Sequence, residues 1–136
     1  MERIEKLEDF RPYAEGGLDP QIVALCNGLT SIRVKTHASC EGHLDHGHSH
    51  PWVGINPFSF AKREALKILL EDFNKQSDIK WECATDWVVP VDTSNCPGCT
   101  EDNSVKISQE ELRLLQESSQ QLGQFLFDHR KDDRIK

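Results

Sequence analysis

No apolar run in this sequence approaches the ~20 residues that cross a bilayer, so no membrane-spanning helix is expected. The opening stretch Met1-Glu2-Arg3-Ile4-Glu5-Lys6 is charged and leads into no apolar signal core, so nothing marks export. Positive charge is scarce as well. Lys and Arg number 16 against 23 Asp and Glu, which gives a formal net charge of −7. The one basic run, His129-Arg130-Lys131, is broken at once by Asp132-Asp133. A broad nucleic-acid footprint is therefore not expected. Glycine is too thinly spread to form the usual fingerprint for S-adenosylmethionine. Cysteines number 5, an odd count that argues against a closed disulfide framework. These features read as a cytoplasmic protein whose thiols stay reduced. Zinc binding, catalysis and plain burial are the remaining uses for them.

What is present suits one soluble domain spanning residues 1–136, large enough to bury a core without staples. Residues 1–17 read as a lead-in segment, ended by Pro12 and Gly16-Gly17. Asp19 then suits an N-cap and Pro20 a first helical position. Ile22, Val23, Leu25, Cys26 and Leu29 follow at helical spacing, with Asn27 and Gly28 as stop signals. Ser31 to Thr36 alternates polar and apolar, which predicts a strand, and Trp52 to Asn56 predicts a second. Apolar positions on one face predict a helix from Phe60 to about Lys75, with Ser59 as its cap. Strands are predicted over 79–85 and 87–91. A cysteine-containing loop over 92–104 and a short strand at Val105-Lys106-Ile107 follow. Ser108-x-x-Glu111 is a capping box that opens a helix running to about Arg130. This order predicts an α/β (α+β) fold, a two-layer sandwich of a mostly antiparallel sheet and about three helices.

Chemistry concentrates in two loops. Between His43 and His50 lie four of the six histidines, directly after Cys40-Glu41-Gly42. The second loop holds Cys96-Pro97-Gly98-Cys99. A structural zinc takes four ligands, commonly as two close pairs. Cys40-x-x-His43 and Cys96-x-x-Cys99 make a Cys3His set, with His46 a further candidate ligand. Asp45 and Glu41 are candidates for a general base if one coordination position holds water. His46, His48 and His50 also read simply as a solvated loop. Cys40 beside His43 has the makings of an activated nucleophile. A redox role for the Cys96 pair is disfavoured because an acidic stretch, not a helix start, follows it. Cys26 and Cys83 read as buried apolar residues. Trp52, Trp81 and Trp87 read as core or as pocket walls, with Trp52 placed to form one side of a cleft. Arg33 and Lys35 are candidates to meet a phosphate, and Ser39 and Gly42 to hold substrate.

The run Leu18-Asp19-Pro20-Gln21-Ile22-Val23-Ala24-Leu25, followed by Thr36-His37-Ala38-Ser39-Cys40-Glu41-Gly42-His43, resembles two groups. One is a set of uncharacterised small bacterial proteins with a Ser-Cys-Glu-Gly-His turn followed by Pro-Trp-Val. More distantly, the run is similar to the wybutosine-synthesis tRNA methyltransferase family, in which a strand leads into Thr-x-Ser-Ser-Cys-Ser-Gly-Arg. Thr36, Ser39, Cys40 and Gly42 agree with that turn, whereas Ala38, Glu41 and His43 depart from it. The resemblance implies a site at this turn. It also implies, as the alternative to zinc, a metal-free nucleotide- or RNA-modifying enzyme in which Ser39, Cys40 and Gly42 hold substrate. An interaction domain with no catalytic site is the third reading. A small-molecule or nucleotide substrate is the expected partner, and no oligomeric state follows from the sequence.

Overall fold

A computed structural model describes residues 6–10, 20–42, 50–56, 60–84, 86–91 and 108–132. Within them, a 3-10 turn at Pro20–Ile22 runs into helix α1, Val23–Ser31. Strands β1, Thr36–Cys40, and β2, Trp52–Ile55, follow. Helix α2 is Phe60–Asn74, strands β3 and β4 are Trp81–Ala84 and Trp87–Pro90, and helix α3 is Gln109–Asp128. The four strands form one sheet in the order β1-β2-β4-β3, and every pairing is antiparallel. The chain is an α+β fold. Because β4 inserts between β2 and β3, the α2 connection steps over one strand, as in a split βαβ unit.

Alternation assigns the two faces of the sheet. Val53, Ile55, Trp81 and Val88 turn toward the helices and join Leu25, Leu29, Leu66, Leu69, Leu122 and Leu126 in one core. Trp81 is the largest fully buried side chain. Its indole Nε1 donates to Ser118 Oγ on α3 at 2.9 Å, which satisfies the polar end of an otherwise apolar ring. Asn74, the last residue of α2, clamps the backbone of Trp81. Its Oδ1 accepts from Trp81 N at 2.8 Å and its Nδ2 donates to Trp81 O at 2.9 Å. Val91 N donates to Lys80 O at 2.8 Å, so the next pair, Trp81 and Pro90, is a non-hydrogen-bonded one and the Trp81 backbone groups face the open edge of β3. Asn74 supplies their partner there.

α1 is longer than its internal signals predict. Gly28 does not end the helix, because α3 crosses there and needs the space. A Cβ at Gly28 would lie 2.8 Å from Gly123 Cα, and a Cβ at Gly123 would lie 2.7 Å from Leu25 N. The helix ends instead at Ile32-Arg33. Arg33 has φ 66°, its N–H donates to Thr30 O at 2.9 Å, and Val34 N donates to Leu29 O at 2.9 Å. This is a Schellman closure with arginine in the left-handed position, and buried Leu29 and Val34 supply its apolar contact. The strand predicted over 31–36 therefore begins only at Thr36. Its alternation described burial correctly, with Ile32 and Val34 inside and Arg33 and Lys35 outside, but the backbone there closes a helix.

At α3, Ser108 Oγ accepts from Glu111 N at 3.0 Å, the cap its sequence predicts. α2 buries Ala65, Leu66, Leu69, Leu70 and Phe73 as expected, but Ala61 is exposed and Ile68 is 36% exposed. The expected caps Asp19 and Ser59, the loop over 92–104 and the strand at 105–107 lie outside the described residues.

Candidate functional site

A bulge in β1 decides what the Cys40 segment presents. Thr36 pairs with Ile55, but Ala38 rather than His37 pairs with Gly54, and the register shifts between them. One extra residue reverses every later side chain relative to the sheet faces. Uninterrupted alternation from Thr36, which is buried, would turn Cys40 toward the helices. The bulge turns Ser39 and Glu41 inward and Cys40 outward. His37 and Ala38 share the outer face opposite Gly54. There the His37 ring lies so close that a Cβ on Gly54 would come within 2.9 Å of it.

On this outer face Cys40 pairs across the ladder with Trp52. The Trp52 ring packs edge-on against Trp87 at 4.8 Å between centroids, and Trp87 meets His37 at 6.2 Å. Trp87 remains 39% exposed on this face, whereas Trp81 is core. Beyond Cys40 the chain turns at Gly42, whose φ is 90°. Gly42 N–H donates to Cys40 Sγ at 3.4 Å. The bond holds the Cys40 sulfur against the turn. His50 lies two residues before Trp52, just outside the paired part of β2. His50 is only 4% exposed. It is not the solvated loop residue that its surroundings in the sequence suggest. The signal that could have singled it out is its place, two residues before the start of β2 at Trp52.

Other expected site residues point elsewhere. Glu41 Oε2 accepts from Gln21 N at 3.0 Å at the start of the α1 helical segment, and Glu41 O accepts from Gln116 Nε2 on α3 at 3.1 Å. Its carboxylate thus caps a helix start, the position expected for an acidic group there. Ser39 hydrogen-bonds the Cys26 thiol on the helix side. Burial pushes that thiol up to about 11, and the Ser39 hydrogen bond pulls back only in part. Ser39 and Cys40 therefore face opposite sides of the sheet and do not meet one ligand. Arg33 and Lys35 are exposed at the end of α1 and the approach to β1. Lys62 Nζ donates to Arg33 O at 2.8 Å. The Lys62 ammonium is held below its usual range by partial burial, then by the Arg33 charge. The Cys83 thiol on β3 is raised by burial, against the pull of Arg63 and Lys67.

Of the expected metal ligands, Cys40 is described. His43, His46, Cys96 and Cys99 lie outside the described residues, as does Asp45. Among the described residues no three His, Cys, Asp or Glu side chains gather around one point, and no helix is long and apolar enough to cross a membrane. No protein-family model, curated protein or solved structure matches the chain.

Proposed function

We propose that this chain is a small cytoplasmic zinc-binding domain whose functional site is the Cys40–His43 turn. The observation that carries the reading is the Gly42 N–H donated to Cys40 Sγ at 3.4 Å. That bond holds the sulfur at the turn where the proposed ligands begin, and cysteine sulfur is a zinc ligand. Cys40, His43, Cys96 and Cys99 are the proposed ligands, with His46 in reserve. Sheet topology supports the pairing of the two loops. β4 runs antiparallel to β2 and ends at Pro90, at the same end of the sheet as Cys40 and Trp52. Cys40 on β1 and the end of β4 are two strand spacings apart, on the order of 10 Å. Cys96 follows Val91 by five residues, and a chain of that length reaches up to roughly 17 Å. His50, just before β2, is buried near the same end of the sheet.

Four ligands would make the site closed and structural. Three ligands and a water would make the zinc a Lewis acid, with Asp45 the proposed base, since Glu41 is committed to Gln21. The test is metal stoichiometry on tag-free protein, by elemental analysis with native mass spectrometry. The expected result is about one zinc per chain, lost in both Cys40→Ala and Cys96→Ser. Protein that binds no zinc when refolded with the metal would overturn the reading.

A further inference from the structure

The corner between α1 and β1 carries positive charge that the fold does not use. Arg33 closes α1 through its main chain alone, with φ at 66° and its N–H donated to Thr30 O at 2.9 Å. Glycine takes that conformation without steric cost, so an arginine here lowers stability, and such outliers gather where a side chain has a function. Among the described residues no carboxylate pairs with the Arg33 guanidinium, on a chain that holds 23 Asp and Glu. Glu64 of α2 pairs instead with Lys67, and Asp86 with Arg63. Lys35, two residues beyond Arg33, is exposed as well.

Helix α2 brings a third cation to this corner. Lys62 Nζ donates to Arg33 O at 2.8 Å. Partial burial, and after it the Arg33 charge, holds the Lys62 ammonium below its usual range, so the two cations feel each other's field. Lys62 also covers the carbonyl end of α1, whose partial negative charge would otherwise repel an anion. Like charges held side by side repel until an anion joins them. The planar fork of arginine and the compact charge of lysine both match phosphate oxygens. A long polyanion needs a broad basic footprint, which a chain of net charge −7 does not offer. A compact anion of high charge density suits three cations better. We infer that Arg33, Lys35 and Lys62 bind the terminal phosphate of a small phosphomonoester.

The experiment is NMR titration of the full chain with glycerol phosphate, a monoester of roughly two negative charges at pH 7. Dimethyl phosphate, a diester with a single charge, is the comparison. The monoester is expected to saturate and to move the Lys62 ammonium back up toward its usual range. The diester is expected to bind at least about fivefold more weakly. Arg33→Gly and Lys35→Gln are each expected to weaken the monoester by about fivefold or more, Arg33→Gly without a fall in melting temperature. Cys40→Ala is expected to leave the affinity unchanged, which separates this site from the proposed zinc site. Failure of the monoester to saturate, equal binding of the two phosphates, or binding that neither Arg33→Gly nor Lys35→Gln weakens would overturn the inference. So would binding that disappears in Cys40→Ala. A single-stranded oligonucleotide without a terminal phosphate that binds more tightly than the monoester would overturn it in favour of a nucleic-acid backbone.

Discussion

Gly28 of α1 and Gly123 of α3 lie backbone against backbone where the two helices cross, and neither position has room for a Cβ. The neighbouring atoms belong to main chain inside helices, so they cannot move aside as a flexible side chain would. This crossing sets how closely the terminal helix approaches the first. It thereby fixes both the core around Leu122 and the contact of Gln116 with Glu41.

Gly28→Ala and Gly123→Ala are each expected to destabilise the fold by about 2–4 kcal/mol, although alanine is the better helix former. Urea denaturation measures this. A neutral or stabilising effect at either position would mean that the helices separate at little cost.

Arg33 holds a left-handed conformation that glycine adopts without steric cost. Arg33→Gly is expected to raise stability by roughly 0.5–1 kcal/mol. It should also remove one cause of the depressed Lys62 ammonium, which side-chain NMR titration of Lys62 would show as an upward move. Metal content should stay the same, because Arg33 is remote in role from the Cys40 turn. A loss of stability would show that the guanidinium contributes more than the backbone strain costs.

Glu41 is expected to matter for folding and not for metal. Removing its carboxylate in Glu41→Ala frees Gln21 N at a helix start, at an expected cost of about 1 kcal/mol. Thermal melting and elemental analysis of the same sample separate the two roles. Metal loss with unchanged stability would return Glu41 to the site.

Cys26 gives the fold a pH dependence on the alkaline side. Its thiol is raised from 9.0 to about 11 in the folded chain. Between those values the unfolded chain releases the proton while the folded chain keeps it. Stability from this group is therefore complete below about pH 9 and is lost as pH rises through 11. The loss amounts to roughly 2–3 kcal/mol. Cys26→Ala should flatten that part of the stability curve, measured by denaturant unfolding at pH 8 to 11. A curve of the same slope in the variant would assign the dependence to another group.

Much of the fold is legible along the chain, because local periodicity and end signals report local physics. The apolar stripe of α2, the Ser108 cap, the short strands that became β2, β3 and β4, and the buried state of Cys26 can all be read this way. The Cys40 segment stands out for its residue types alone. What no local pattern carries is whatever depends on a distant partner. Gly28 reads as a stop signal until α3 arrives against it. Trp52, Trp81 and Trp87 look alike in sequence, yet the strand order sends one into the core and two to the outer face.

The sequence by itself determined which residues favour helix, strand or turn, and it gathered the ligand-like side chains near Cys40. The tertiary structure decided the direction in which those side chains point. One residue of bulge in β1 turns Cys40 outward and Glu41 inward. Pairing of β2 with β4 brings the end of β4 to the Cys40 end of the sheet. The reason is that side-chain direction in a strand has a period of two. A single-residue choice of register, settled only by long-range pairing and packing, therefore reverses every assignment that follows it.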